Sequence, residues 1–296
     1  MPIPDHLEHR VQTRDGRTLA VAEWGDPQGI ALISMHGTPG GRISYWTDPT
    51  IYARHGLRRL TFDRAGYGES TRRAGRIVKD DVADVLAIAE ALNVDKFAVS
   101  GGSGGGPHAL AAAALLPDRV LRALISVSIA PYDADGLDFL AGQTAGNVAE
   151  FTAAQRGEQF IRPIVEQERA TTLERLAAGR ADFFGDSYEV SDEDKAQMAK
   201  HLERARDHLG DALAHGVDGW VDDDIAFTKP WGFDVSTITV PVYLTYGRTD
   251  NLVPPAHGDW LAAHIPYADV HANDDAGHMG DDSTVEHEMA WLAGTA

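Results

Sequence analysis

The sequence predicts an α/β fold with a mostly parallel central sheet flanked by helices and interrupted by a helical insertion. Three observations carry this expectation. From Val11 to about Ala130, short apolar runs of strand length alternate with helical patterns, and that alternation builds a parallel sheet covered on both faces. Between Pro131 and Pro230 the strand-like runs vanish, and Ala, Glu, Arg and Gln dominate with scattered aromatics. The strand pattern then resumes at Val240–Tyr246. With 43% hydrophobic residues over 296 positions, the chain has ample material for a packed core.

Each element has its own signal. Val11–Thr13 and Thr18–Trp24 flank Arg14-Asp15-Gly16-Arg17, whose Asp-Gly pair marks a hairpin turn. Ile30–Met35, Leu57–Phe62, Phe97–Ser100 and Leu121–Ile129 are compact apolar runs suited to strands buried on both faces. Val78, Val82, Val85, Ala89 and Leu92 form one helical stripe, with Asp80, Asp81, Asp84 and Glu90 off it. In the insertion the clearest helix runs from Asp192 to about His215. Asp269–His271 reads as a last short strand, with helices at Pro254–His264 and Asp281–Leu292. The expected division is residues 1–130 and 231–296 as one α/β core and 131–230 as the inserted helices.

Composition narrows the partners. Lys and Arg number 26 against 45 Asp and Glu, a formal charge of −19. So acidic a surface repels phosphate backbones and anionic membranes, so neither nucleic acid nor membrane is an expected partner. The absence of cysteine removes disulfides, thiolate metal sites, iron–sulfur clusters and a cysteine nucleophile together. The opening residues show no secretory pattern. The longest apolar run, Ala109–Leu116, falls far short of the ~20 residues a membrane helix needs. A soluble, cytoplasmic protein acting on a small molecule is expected; the oligomeric state is left open.

The most informative segment is Gly101-Gly102-Ser103-Gly104-Gly105, a G-x-S-x-G between a strand and an Ala-rich helix. A serine on so tight a turn occupies strained backbone, and glycines on either side let the chains pass closely. The following helix N-terminus offers backbone N–H groups to a developing oxyanion. Ser100 is a poorer nucleophile candidate, because Ala98 stands where its own turn needs glycine. A phosphate loop is disfavoured, since neither G-x-x-x-x-G-K-[ST] nor a complete G-x-G-x-x-G is present. Met35-His36-Gly37-Thr38-Pro39-Gly40-Gly41 follows another strand and is placed to supply a second oxyanion donor, assigned to Thr38 opposite the N–H of Gly104.

Together, His36–Gly40, Asp63-Arg64-Ala65-Gly66-Tyr67-Gly68-Glu69-Ser70 and the serine turn resemble the α/β-hydrolase superfamily over nearly the whole chain. The middle motif is similar to that family's D-x-x-G-x-G-x-S signature, and the insertion lies where members carry a helical cap. The resemblance implies an acid and a histidine on loops after late strands. Gly247-Arg248-Thr249-Asp250-Asn251-Leu252-Val253-Pro254 matches the acid loop, and Ala276-Gly277-His278 follows the next strand. Ser103 as nucleophile, His278 as base, Asp250 as its orienting acid, and Thr38, Gly104 and Gly37 around the oxyanion are the implied site. Asp133, Asp274 and Asp275 are alternative carboxylates.

What the resemblance implies is a serine hydrolase cleaving an ester, thioester or amide through an acyl-serine, with no metal or organic cofactor. Alternatives are a prolyl-type aminopeptidase, a carbon–carbon bond hydrolase, cofactor-free perhydrolysis, or a non-catalytic ligand-binding member. Prolyl-type enzymes usually carry a bulky Trp beside the serine, where this chain has Gly104; the glycines there suggest room for a branched substrate. Activity is expected to fall as His278 protonates, near or below ~6.5. His201, His208 and His215 recur every seven residues. That is ~10 Å per step along a helix axis, too far to share a metal, so a half-exposed helix face is expected. Asp222-Asp223-Asp224 reads as a solvated acidic turn. The insertion's aromatics are expected either to line a substrate pocket or to form the insertion's own core.

Overall fold

The computed structural model describes residues 3–45, 48–280 and 282–296. An eight-stranded sheet has the order β1-β2-β4-β3-β5-β6-β7-β8. Its strands are β1 Leu7–Gln12, β2 Thr18–Gly25, β3 Ile30–Met35, β4 Leu57–Phe62, β5 Phe97–Gly102, β6 Val120–Ser126, β7 Val242–Gly247 and β8 Ala268–Asn273. The hairpin pairs Gln12 with Thr18, and its Gly16 has φ +84°, a left-handed conformation that glycine adopts without penalty. β2 also runs antiparallel to β4, whereas β3 through β8 pair in parallel.

Helices cover both faces because alternate strand residues are apolar on both sides. One face packs Ile33, Val99 and Ile125 against α2 (Val82–Ala91), α3 (Gly106–Leu115) and α9 (Pro255–His264). The other packs Leu32, Ala98 and Leu124 against α1 (Thr50–Arg54) and α10 (Val285–Ala293). Between β6 and β7 stand α4 (Ala145–Arg156), α5 (Glu158–Ala177), α6 (Asp192–Lys200), α7 (Leu202–Ala214) and α8 (Asp218–Phe227). These have their own apolar cluster around Ile161, Val165, Phe183, Leu209 and Leu213. Among the described residues, no helix is long and apolar enough to cross a membrane.

Several local expectations need correction. The 78–92 stripe begins as a 3₁₀ turn, Val78–Asp81, before α2 takes over. The 281–292 pattern likewise opens on a 3₁₀ turn, Asp282–Thr284; Asp281 lies outside the described residues. The long helix expected over 192–215 breaks at His201, which caps the start of α7. The histidine face is only partly exposed: His208 is buried with Nδ1 donating to the Ile43 carbonyl and His201 is buried against Asp282, whereas His215 is exposed. Asp222, Asp223 and Asp224 are not a solvated turn either. They lie inside α8 and are buried: Asp222 meets Arg72 and Asp223 meets Arg64 and Arg76, whereas Asp224 turns toward Glu150 and has no arginine partner among the described residues.

Candidate active site

β5 delivers Ser103 to the start of a short 3₁₀ turn that leads into α3. Its φ of +52° is one of few left-handed values at a non-glycine residue, a conformation costing of order 1–3 kcal/mol that persists only where surroundings enforce it. The flanking glycines do that enforcing. A Cβ on Gly101 would sit 2.3 Å from the Gly105 carbonyl oxygen, and one on Gly105 would sit 2.3 Å from that of Met35. Ser103 is thus held half-buried at the C-terminal edge of the sheet. Ser100 lies earlier on β5, where its hydroxyl donates to Ser34 Oγ.

The acid loop leaves β7 and the histidine loop leaves β8. Asp250 Oδ1 accepts from the backbone N–H groups of Leu252 and Val253 at 2.9 and 2.8 Å. That orients Oδ2 toward His278 Nδ1, 2.8 Å away. Burial works against a charged His278 ring, but the Asp250 charge and hydrogen bond outweigh it and raise its pKa above 6.5. This reverses the expectation of titration near or below the ordinary value. Asp133, Asp274 and Asp275 are exposed, and Asp250 alone of these candidates holds the ring. Ser103 and His278 line the same cavity, of about 930 Å³.

Thr38 and Gly37 close the site opposite the serine. A Cβ on Gly104 would lie 2.4 Å from Thr38 Oγ1 and 3.1 Å from its N. A Cβ on Gly37 would approach that of Ser103 to 3.6 Å. The space vacated by the missing side chain at Gly104 is therefore filled by Thr38, not left open for a branched substrate. Sequence alone could not show this, because the filler comes from a loop 66 positions away (104 − 38).

Residues that local patterns did not single out hold these loops. Arg64, fully buried, donates to the carbonyls of His36 and Gly37 and to Thr38 Oγ1. It also meets Asp223 Oδ2 at 2.5 Å. Asp223 accepts from Arg76 at 2.5 Å, Tyr67 at 2.8 Å and Thr38 Oγ1 at 2.6 Å. Although burial opposes it, the charges of Arg64 and Arg76 hold the Asp223 carboxyl well below the usual carboxylate range. Asp63 of the same motif is structural: it accepts from the Arg42 N–H and guanidinium. Arg64 stands inside the Asp63–Ser70 motif that carried the family resemblance, but nothing in that motif gave Arg64 a role.

Above Ser103 the helical block contributes Phe151, Phe184, Tyr188, Trp220 and Phe227 to the cavity wall. Phe183 belongs both to this wall and to the block's own core, so the aromatics serve both expected ends. Glu150 and Asp224 line the same wall while buried. Tyr188 donates to Glu150, whereas Asp224 Oδ2 has no hydrogen-bond partner among the described residues. Burial raises the pKa of both carboxyls, and the charge of Glu150 adds to that of Asp224.

Comparison with known proteins places the chain in a family. A non-heme chloroperoxidase from Streptomyces lividans is 27% identical over 258 residues, 83% of each chain. A proline iminopeptidase from Neisseria meningitidis serogroup A is 28% identical over 291 residues, 88% of this chain and 86% of that one. In structure, an alpha/beta hydrolase fold protein from Nakamurella multipartita superimposes with a TM-score of 0.67 at 23% identity, covering 97% of this chain and all (100%) of that one. The model of the alpha/beta hydrolase fold family matches residues 30–280. The chain belongs to the α/β-hydrolase family.

Proposed function

We propose that the protein is a serine hydrolase that cleaves a carboxylic ester, or a related thioester or amide, through an acyl-serine intermediate. The observation that carries this reading is the Asp250–His278 hydrogen bond together with a serine held at positive φ, Ser103 and His278 lining one cavity. In the proposed reaction, His278 takes the proton from Ser103 Oγ as that oxygen attacks the carbonyl, and Asp250 stabilises the imidazolium. The N–H groups of Gly104 and Thr38 receive the oxyanion, each contributing about 3–4 kcal/mol in comparable sites. His278 then returns the proton to the leaving group and activates water to release the acyl group. The helices of 131–230 act as a cap whose aromatics seat the substrate.

A pre-steady-state burst on p-nitrophenyl acetate, with the acetyl group trapped on Ser103, tests the reading; turnover with no acylated Ser103 would refute it. The pH profile gives a second check. The base works only when neutral, so kcat/KM should rise with pH through a midpoint above 6.5 and then level off. A rate constant down to about pH 4 would contradict a histidine base.

Glu150 and Asp224 favour a narrower second reading, an aminopeptidase-like preference for substrates bearing a free ammonium group. A cation seated there would give the orphaned Asp224 oxygen a partner and offset the charge of two neighbouring buried carboxyls. Aminoacyl esters should then exceed their N-acetyl counterparts in kcat/KM by about 10- to 100-fold, and Glu150→Gln should shrink that ratio. Equal rates would remove this preference and leave the ester reading standing.

A further inference from the structure

Two aspartates of the helical block reach into the loops of the site. Asp194, on α6, is buried, and Ser191 Oγ caps its own N–H. Its Oδ2 accepts from the His278 N–H at 3.0 Å and its Oδ1 from the Met279 N–H at 2.7 Å. Gly277 is needed for this grip, since a Cβ there would lie 2.4 Å from Asp194 Oδ2. On the opposite side, Asp223 of α8 accepts from Thr38 Oγ1 at 2.6 Å. The same hydroxyl accepts from Arg64 and leans on Gly104, so its rotamer is fixed on three sides. The acid loop is tied to the block as well: Asn147 Nδ2 donates to the Leu252 carbonyl and Thr144 N–H to that of Asn251.

We infer that the helical block is the positioning framework of the reaction: Asp223, through the Thr38 hydroxyl, sets the oxyanion N–H, and Asp194 sets the backbone of His278. This rests on the roles given above to Thr38 and His278. A hydrogen bond from Thr38 Oγ1 to a carboxylate that itself sits between two buried arginines has little freedom to drift. Displacements of about 1 Å at a reacting centre cost on the order of 100-fold in rate. The block therefore does more than cover the cavity. Substrate reaches Ser103 with α6 and α8 seated, because lifting either one releases a loop on which the chemistry depends.

The test uses the full chain and p-nitrophenyl acetate, a substrate too small to need the block for binding. Thr38→Val removes the hydroxyl and leaves the ion pairs of Asp223 in place. It should lower kcat by about 10- to 100-fold with KM within about twofold, and slow fluorophosphonate acylation of Ser103 in parallel. Thr38→Ser, which keeps the donor, should restore both. Asp194→Ala removes both backbone acceptors and a negative charge near His278, so kcat should fall and the midpoint of the pH profile should move down. Asp194→Asn should lie between it and wild type in kcat. Thr38→Val with wild-type kcat and labelling rate, or Asp194→Ala with wild-type kcat and pH midpoint, would overturn the inference. Wild-type protein that never acylates at Ser103 would sink the hydrolase reading instead.

Discussion

Ser103→Ala is expected to lower kcat on an acyl ester by about 10⁶-fold, the scale seen when a nucleophile is removed from a relay that works as a unit. The alanine fits the elbow sterically, since the constraint lies in the glycines around it and the methyl replaces a methylene already present. The protein should therefore fold and melt as wild type does, and KM should change little. His278→Ala should cost nearly as much. The double variant should be no worse than either single one, because each already disables the same proton transfer. What survives comes from the oxyanion donors and from binding alone. A Ser103→Ala protein retaining more than about a thousandth of wild-type kcat would show that another group carries the reaction.

The second large effect is on stability. Asp223 has no exposed surface and bridges two arginines, Arg64 and Arg76, that have none either. Asp223→Ala leaves both guanidiniums buried without that partner. Asp81 lies 3.8 Å from Arg76 and 4.0 Å from Arg64, too far to replace it. Breaking a buried pair from one side costs about 3–5 kcal/mol, which lowers Tm by roughly 6–20 °C in a chain of this size. Because the cluster is shielded from solvent, the loss should persist at high salt. Asp223→Asn keeps the hydrogen-bond acceptor and should lose less. A Tm for Asp223→Ala within about 2 °C of wild type would mean that the cluster contributes little to holding α8 on the core.

These two residues differ in how openly the sequence announces them. Ser103 stands in a local pattern, with strand, glycines and helix within a dozen positions, and the strand–helix alternation that makes the sheet parallel puts the turn after β5 at the C-terminal edge. The Asp250 and His278 loops were reached through the family resemblance; only the first trails an apolar strand, since β8 before His278 is largely polar and exposed. Asp223 was legible in neither way. Its neighbours in the chain are two more aspartates, which by composition suggest solvent, while its partners lie about 150 positions upstream. Asp194 sits in an acidic first helical turn, an ordinary place for a carboxylate. Nothing local distinguishes it from Asp192 and Glu193 beside it, which face solvent. Gly104 misled in the opposite sense, because an absent side chain implies space only until another loop is seen to fill it. Charge pairing across the fold, unlike periodicity, leaves no mark within a short window of sequence.

The most direct measurement is intact-mass and peptide analysis after exposure to a fluorophosphonate. The account predicts one adduct per chain, carried on the peptide containing Ser103, forming with a rate that drops as His278 is protonated and almost disappears in His278→Ala. Folded wild-type protein that remains unmodified, or an adduct formed at a different residue, would contradict it.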